Sequence, residues 1–188
     1  RHCVGLRPHR ATCLTALLAL AGLTVAAPEA QAQIVYWTGV SGTLWSSASG
    51  TNWSSTAGSP GTPTVPVSGN TLEWRGGFGT NKSSFNDFSN LSVAGITMNN
   101  GNPTGIVLSG SALTVTGAIN ALSSGTNTIN LNLVLNLGTL QLTGGTGAGL
   151  LTINGNISET GGSRAVNGQA GAVALYGLNS FSGDSILG

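Results

Sequence analysis

Charge is what this chain lacks most. Only 11 of its 188 residues are Asp, Glu, Lys or Arg, 6% of the total, where a globular protein carries about 25%. Nucleic acid is excluded as a partner, because a surface that tracks phosphates needs clustered Lys and Arg. Coiled coils and helical bundles are excluded as well, since they are built largely from Ala, Glu, Lys, Leu and Arg. Low charge together with 40% apolar residues also departs from the disordered signature of high charge and low hydrophobicity. What the chain does have is small and polar: Gly, Ser, Thr and Asn supply 90 residues, 30 of them Gly. Such a composition points to an all-β protein.

The first 32 residues stand apart. Arg1, Arg7 and Arg10 form a positive region, an apolar run extends from Cys13 to Ala27, and Pro28 is followed by Ala30-Gln31-Ala32. That order describes a secretory signal peptide, with cleavage after Ala32 at the small residues Ala30 and Ala32. An uncleaved anchor is the alternative, but the apolar run has 15 residues, short of the roughly 20 that span a bilayer. The first residue is Arg1 rather than Met, so the expected precursor begins further upstream.

Both His and both Cys (His2, His9, Cys3, Cys13) belong to this segment. Residues 33–188 keep Arg75, Lys82 and Arg164 against Glu73, Asp87, Glu159 and Asp184, a net charge of −1. Without Cys, an exported chain gains no disulfides from an oxidising compartment, and packing and hydrogen bonds must hold it.

Two textures follow. Region 33–90 holds eight of the ten aromatics and the prolines Pro60, Pro63 and Pro66. Short strands are expected at Ile34–Thr38 and Asn70–Arg75, separated by an irregular loop. Trp45, Trp53 and Trp74 suit either a hydrophobic plug or a platform on which sugars stack. From Leu91 onward the pattern is a β-repeat. In 128–137, Ile129, Leu131, Leu133, Leu135 and Leu137 alternate with mostly polar neighbours, a period of two that no helix uses. The inward side is then aliphatic, and Asn130, Asn132 and Asn136 face outward as a ladder. Shorter pieces of aliphatic-x-aliphatic-x-Gly begin at Ile106, Leu113, Leu140, Leu151 and Val173. Each reads as a strand closed by a Gly turn. Their irregular spacing predicts a β-solenoid with loops of variable length. A solenoid's first coil exposes an apolar end and an open strand edge, so the aromatic region is placed as its N-terminal cap.

The residues reach a known family here. Tyr36-Trp37-Thr38-Gly39, Trp45, Thr51-Asn52-Trp53-Ser54 and Asn70-Thr71-Leu72-Glu73-Trp74 resemble the opening of secreted proteins with autotransporter-associated β-strand repeats. Gly95-Ile96-Thr97-Met98 resembles that family's Gly-Ile-x-Phe strand, with Met98 in place of Phe. The tail from Gly171 to Ile186 is similar to its repeat unit, Phe181 standing for the aromatic and Ser185 for a Thr. The resemblance spans nearly all of 36–188. It implies a right-handed parallel β-helix-like solenoid, passenger-like, at the cell surface or outside the cell, and continuing in a longer protein. Three regions result: signal peptide 1–32, cap 33–90 and solenoid 91–188.

Catalytic constellations are hard to assemble from what remains. A Ser-His-Asp or Cys-His arrangement needs His as base, and 33–188 has none. Gly183-Asp184-Ser185-Ile186-Leu187 imitates the nucleophile block of an esterase family, but only three residues follow Ser185 where that family needs a later His. A zinc site lacks its Cys and His ligands. Glycosidases need two facing carboxylates, whereas Glu73 and Asp87 are 14 residues apart and Glu73 is better read as a surface partner of Arg75. The run 144–149 imitates a calcium-binding Gly-rich repeat, but Gly149 stands where the coordinating Asp belongs, and no Lys follows to make a phosphate cradle. It reads as a flexible turn. The Asn-x-Ser triplets at Asn52, Asn81, Asn90 and Asn156 are expected by chance in such a composition.

The expectation is therefore an exported, non-enzymatic structural or adhesive segment with no cofactor and no metal. Its partners would be surface polysaccharide or other cells, and membrane contact would come only through export or an anchor elsewhere. The alternative is a stalk or carbohydrate-binding segment of a longer polysaccharide-active enzyme.

Overall fold

A computed structural model describes residues 32–47, 52–57, 62–76, 82–99 and 105–187. The signal-peptide segment up to Gln31, including Ala30, lies outside them, as do Asn81 and Phe78; Ala32 is exposed. The described residues contain strands and no helix, arranged as a β-solenoid of about 4 turns. Three sheets run along it as three faces.

Face A contains β1 (Ile34–Trp37), β2 (Trp53–Ser54), β3 (Pro63–Thr64), β4 (Thr71–Arg75), β7 (Gly95–Asn99), β10 (Ile119–Ala121), β13 (Thr139–Thr143), β16 (Ala165–Ala170) and β18 (Ser185–Ile186). Face B contains β5 (Ser83–Asn86), β8 (Val107–Gly110), β11 (Asn127–Ile129), β14 (Leu150–Ile153) and β17 (Ala172–Leu175). Face C contains β6 (Ser92–Val93), β9 (Leu113–Val115), β12 (Leu133–Leu135) and β15 (Ile157–Glu159). One coil visits A, B and C in turn, and each strand pairs in parallel with its counterpart in the next coil. Hydrogen bonds between successive complete coils join residues 18 to 27 apart, from Val166–Asp184 to Ala165–Gly138.

Register explains the core. Leu72, Ile96, Ile119 and Leu142 are successive partners on face A. Leu108, Ile129 and Ile153 follow one another on face B, and Leu113, Leu133 and Ile157 on face C. All ten are fully buried, so each contributes about 1.5–3 kcal/mol of hydrophobic stabilisation. The irregular spacing of the sequence pieces now has a cause: those beginning at Ile106, Leu113 and Leu140 belong to faces B, C and A. Those at Leu151 and Val173 share face B and are direct partners.

The stretch 128–137 spans two walls of the solenoid. It supplies β11 and β12 on different faces, with a corner at Asn130–Asn132. Alternation nevertheless continues through the corner. Ile129, Leu131, Leu133 and Leu135 are buried, Leu137 is half-buried, and Asn130, Asn132 and Asn136 are exposed.

The first complete coil, β4–β5–β6, begins at Thr71, inside the aromatic-rich region rather than at residue 91. Composition masks this boundary because Trp74 and Phe88 pack as core residues of that coil. Residues before it cover the coil's open edge on every face. On A, β1 pairs in parallel with β4 and is extended by antiparallel β2 and β3. On B, Phe85 N–H donates to Thr43 O at 2.8 Å and Phe85 O accepts from Trp45 N–H at 3.0 Å. On C, Gly69 N–H donates to Ser92 O at 2.9 Å. An edge so covered cannot template pairing with another chain.

Candidate functional site

The cap places four indoles against one another. Trp37 and Trp53 meet edge-on with centroids 5.0 Å apart, as do Trp45 with Trp53 at 5.6 Å and Trp53 with Trp74 at 5.2 Å. Trp45, Trp53 and Trp74 are 0%, 1% and 1% exposed. No ring face is therefore open to a sugar, and of the two readings the sequence allowed for these three residues the structure has the plug. Their indole N–H groups have no hydrogen-bond acceptor. Edge-to-face packing sets electropositive ring edges against neighbouring π faces, a weak substitute for that bond.

The acids fall at separate places. Glu73 and Arg75 share the outer side of β4, where the guanidinium Nε donates to Glu73 Oε1. This hydrogen bond, followed by the carboxylate charge, raises the Arg75 pKa above its usual value. Arg75 Cζ also sits 5.3 Å from the Tyr36 ring centroid, in cation–π range. Glu73 is buried rather than a surface acid: Tyr36 precedes it on the sheet, Thr97 follows it, and Arg75 covers it.

Asp87 accepts from the Ser46 backbone N–H at 2.9 Å and from the Ser46 hydroxyl. Burial alone would raise its pKa, but these hydrogen bonds outweigh it, and the carboxyl lies below its ordinary value. Glu159 accepts from the Ser182 hydroxyl at 2.5 Å and the Arg164 backbone N–H at 2.7 Å. The Ser182 hydroxyl is the main cause of its lowered pKa. Each carboxylate thus ties one segment to another: Asp87 holds the cap to the first coil, and Glu159 holds the loop at Arg164 and the last coil. Among the described residues no group of three or more His, Cys, Asp or Glu comes together. Nor is any helix there long and apolar enough to cross a membrane.

The Gly-rich run 144–149 is close-packed at its two ends, Gly144–Gly145 and Gly149, and open at Gly147. A Cβ on Gly145 would stand 2.5 Å from both Gly149 Cα and Ser123 O, so this turn seats on the coil before it only with Gly. Gly183-Asp184-Ser185 leads into β18, with the Gly183 N–H bonded to Arg164 O.

Four buried Asn side chains escape sequence reasoning. Asn52 accepts from Ser41 N–H and donates to Leu44 O; Asn70 accepts from Val67 N–H. Asn86 accepts from Phe88 N–H and donates to Ser111 O; Asn127 accepts from Ile106 N–H and donates to Ser123 Oγ. A side-chain amide carries both a donor and an acceptor, so one residue satisfies turn groups that would otherwise be buried unpaired. Asn52 and Asn70 stand in motifs that carry the family resemblance, whereas Asn86 and Asn127 have no sequence signal.

Exposed polar residues concentrate where face B turns into face C. Asn154 Nδ2 donates to Asn130 Oδ1 at 2.9 Å, one coil away. Asn132 Oδ1 accepts from Asn156 N–H at 2.9 Å, and Asn156 Oδ1 accepts from Leu178 N–H at 2.8 Å. Of the three Asn expected to form a ladder, Asn130 and Asn132 do so between coils, in two rows, while Asn136 is exposed outside both. Earlier along the same corner a depression of about 270 Å³ opens between Ser89, Asn90, Ser111, Ala112, Thr114 and Val134. Asn90 closes it in the left-handed conformation, φ 60°, which Asn tolerates better than most residues.

Comparison with known proteins adds no relative: no protein-family model, curated protein or solved structure matches this chain.

Proposed function

We propose that this chain is an exported, non-enzymatic structural and adhesive segment of a surface or extracellular protein, of the kind built from autotransporter-associated β-strand repeats. The observation that carries the reading is the stacking of exposed, uncharged residues from one coil to the next, Asn130 with Asn154 and Asn132 with Asn156. A rod that repeats one weak contact along its length binds through multivalency, without a deep pocket. Export is supported by the basic and apolar order of residues 1–32 and the Ala30-Gln31-Ala32 site. A non-enzymatic role is supported by the lack of any general-base His in 33–188 and by the engagement of Glu73, Asp87 and Glu159 in hydrogen bonds within the fold.

The test is surface labelling of intact producing cells, followed by an adhesion assay with and without the gene. Display on the cell, a mature N-terminus near Gln33 and loss of adhesion on deletion are expected. A full-length precursor kept in the cytoplasm would defeat the proposal.

A further inference from the structure

We propose that the corner between faces B and C is a binding strip for a neutral, hydroxyl-rich polysaccharide, with Tyr176 as its stacking surface. The inference deepens the adhesive reading and rests on it only in that an exported protein meets such chains.

Two rows define the strip. Asn130 and Asn154 lead to Tyr176 on one side, because Ile153 and Leu175 are direct partners and the next residue of each strand follows in register. Asn132 and Asn156 lead to Leu178 on the other. Between them runs backbone, close-packed at Gly155 and Gly177. A Cβ there would stand 1.9 Å from Leu131 O and 2.2 Å from Gly155 O, respectively. The centre of the strip is thus kept free of side chains.

Hydrogen bonding within the rows is directional. The oxygens of Asn130, Asn132 and Asn156 are all occupied as acceptors. Their Nδ2 groups remain as outward donors, and those of Asn132 and Asn156 stand one coil apart, about 4.8 Å along the axis. Sugar hydroxyl oxygens accept such bonds. Tyr176 is 71% exposed, against 42% for Phe85 and at most 3% for the four Trp, so among the described residues it offers the most open aromatic face. An aromatic face stacks on the C–H face of a sugar ring through apolar contact. No charged residue occupies 130–132, 154–156 or 176–178, so a polyanion would find no counter-charge, and the fitting ligand is uncharged. Each strip is short, which makes single contacts weak and repetition necessary.

The experiment is retention of the purified, exported protein on particles of cellulose and of unsubstituted xylan, with polygalacturonate as the acidic control. Retention on a neutral glycan, unchanged by added salt, is expected. Tyr176→Ala should lower affinity about tenfold, the loss of one stacking contact, and Asn132→Ala several-fold. Asn136→Ala, at an exposed Asn outside both rows, should bind like the wild type. A cooperative melt above the assay temperature excludes misfolding in each of the three variants, with Asn132→Ala melting earlier than the wild type because its bond to Asn156 N–H is lost. Asn132→Ala carries the test alone if Tyr176→Ala does not fold. No retention on either neutral glycan overturns the proposal, as does retention that both substitutions leave intact. Salt-sensitive binding to polygalacturonate alone does so too. None of these outcomes bears on export, which surface labelling reports separately.

Discussion

Ser46 holds Asp87 twice, through its backbone N–H and its hydroxyl, across 41 residues of sequence. The contact fastens the segment carrying Trp45 to the end of β5, so the plug and the first coil are stabilised together. It also makes the cap sensitive to acid. A carboxylate whose pKa is lowered by folding stabilises the native state fully above its unfolded value, near 4, and that contribution is lost as pH falls through the folded pKa. Asp87 and Glu159 are both shifted in this direction. Stability should therefore be flat from neutrality to about pH 5 and decline below about pH 4. Asp87→Asn and Ser46→Ala should each lower stability at neutral pH and flatten that decline. Denaturant melts across the pH range measure both effects, and an unchanged slope in Asp87→Asn would remove the cap contact from the account.

Inner and outer positions on one stretch should differ sharply. Leu133→Asn puts an amide into the stack between Leu113 and Ile157 and should cost about 2–4 kcal/mol. Asn136→Thr, on the exposed side, should change stability by less than about 0.5 kcal/mol. Asn132→Thr should fall between them, about 0.5–1.5 kcal/mol, because the bond to Asn156 N–H is lost. Equilibrium melts rank the three, and equal effects would refute the one-sided corner.

The indole cluster should give a blue-shifted emission that acrylamide quenches poorly, since all four Trp are buried. Trp74→Ala should cost about 3–5 kcal/mol, for it touches Trp37, Trp45 and Trp53 alike. Strong quenching in the folded protein would mean that the cap is open.

Two glycines make a matched pair. Gly138→Ala meets nothing within 4 Å and should stabilise by about 0.4–1 kcal/mol through the unfolded chain. Gly145→Ala meets Ser123 O and Gly149 Cα at 2.5 Å and should destabilise by more than about 1 kcal/mol. Thermal melts in opposite directions would establish that the turn at 144–149 is a seat for the neighbouring coil and not a loose connection.

What the sequence by itself determined is local. The alternation through 128–137 sets which side chains are buried, because successive residues of an extended chain point to opposite sides whatever lies beside them. The large area of the Trp residues suited either a plug or a platform, and the packing of the four against one another decided for burial. Tertiary structure alone decided the rest. The corner at Asn130–Asn132 leaves no mark on the alternation, since both walls keep the same period of two. Pairing of Ile129 with Leu108 and Ile153 depends on where earlier coils end, which no short window contains. Asn127 and Asn130 are the same residue type three positions apart, yet one is buried against Ile106 N–H and the other is exposed. Their difference lies in whether a neighbouring turn brings an unpaired backbone group within reach, and only the stacked coils fix that distance.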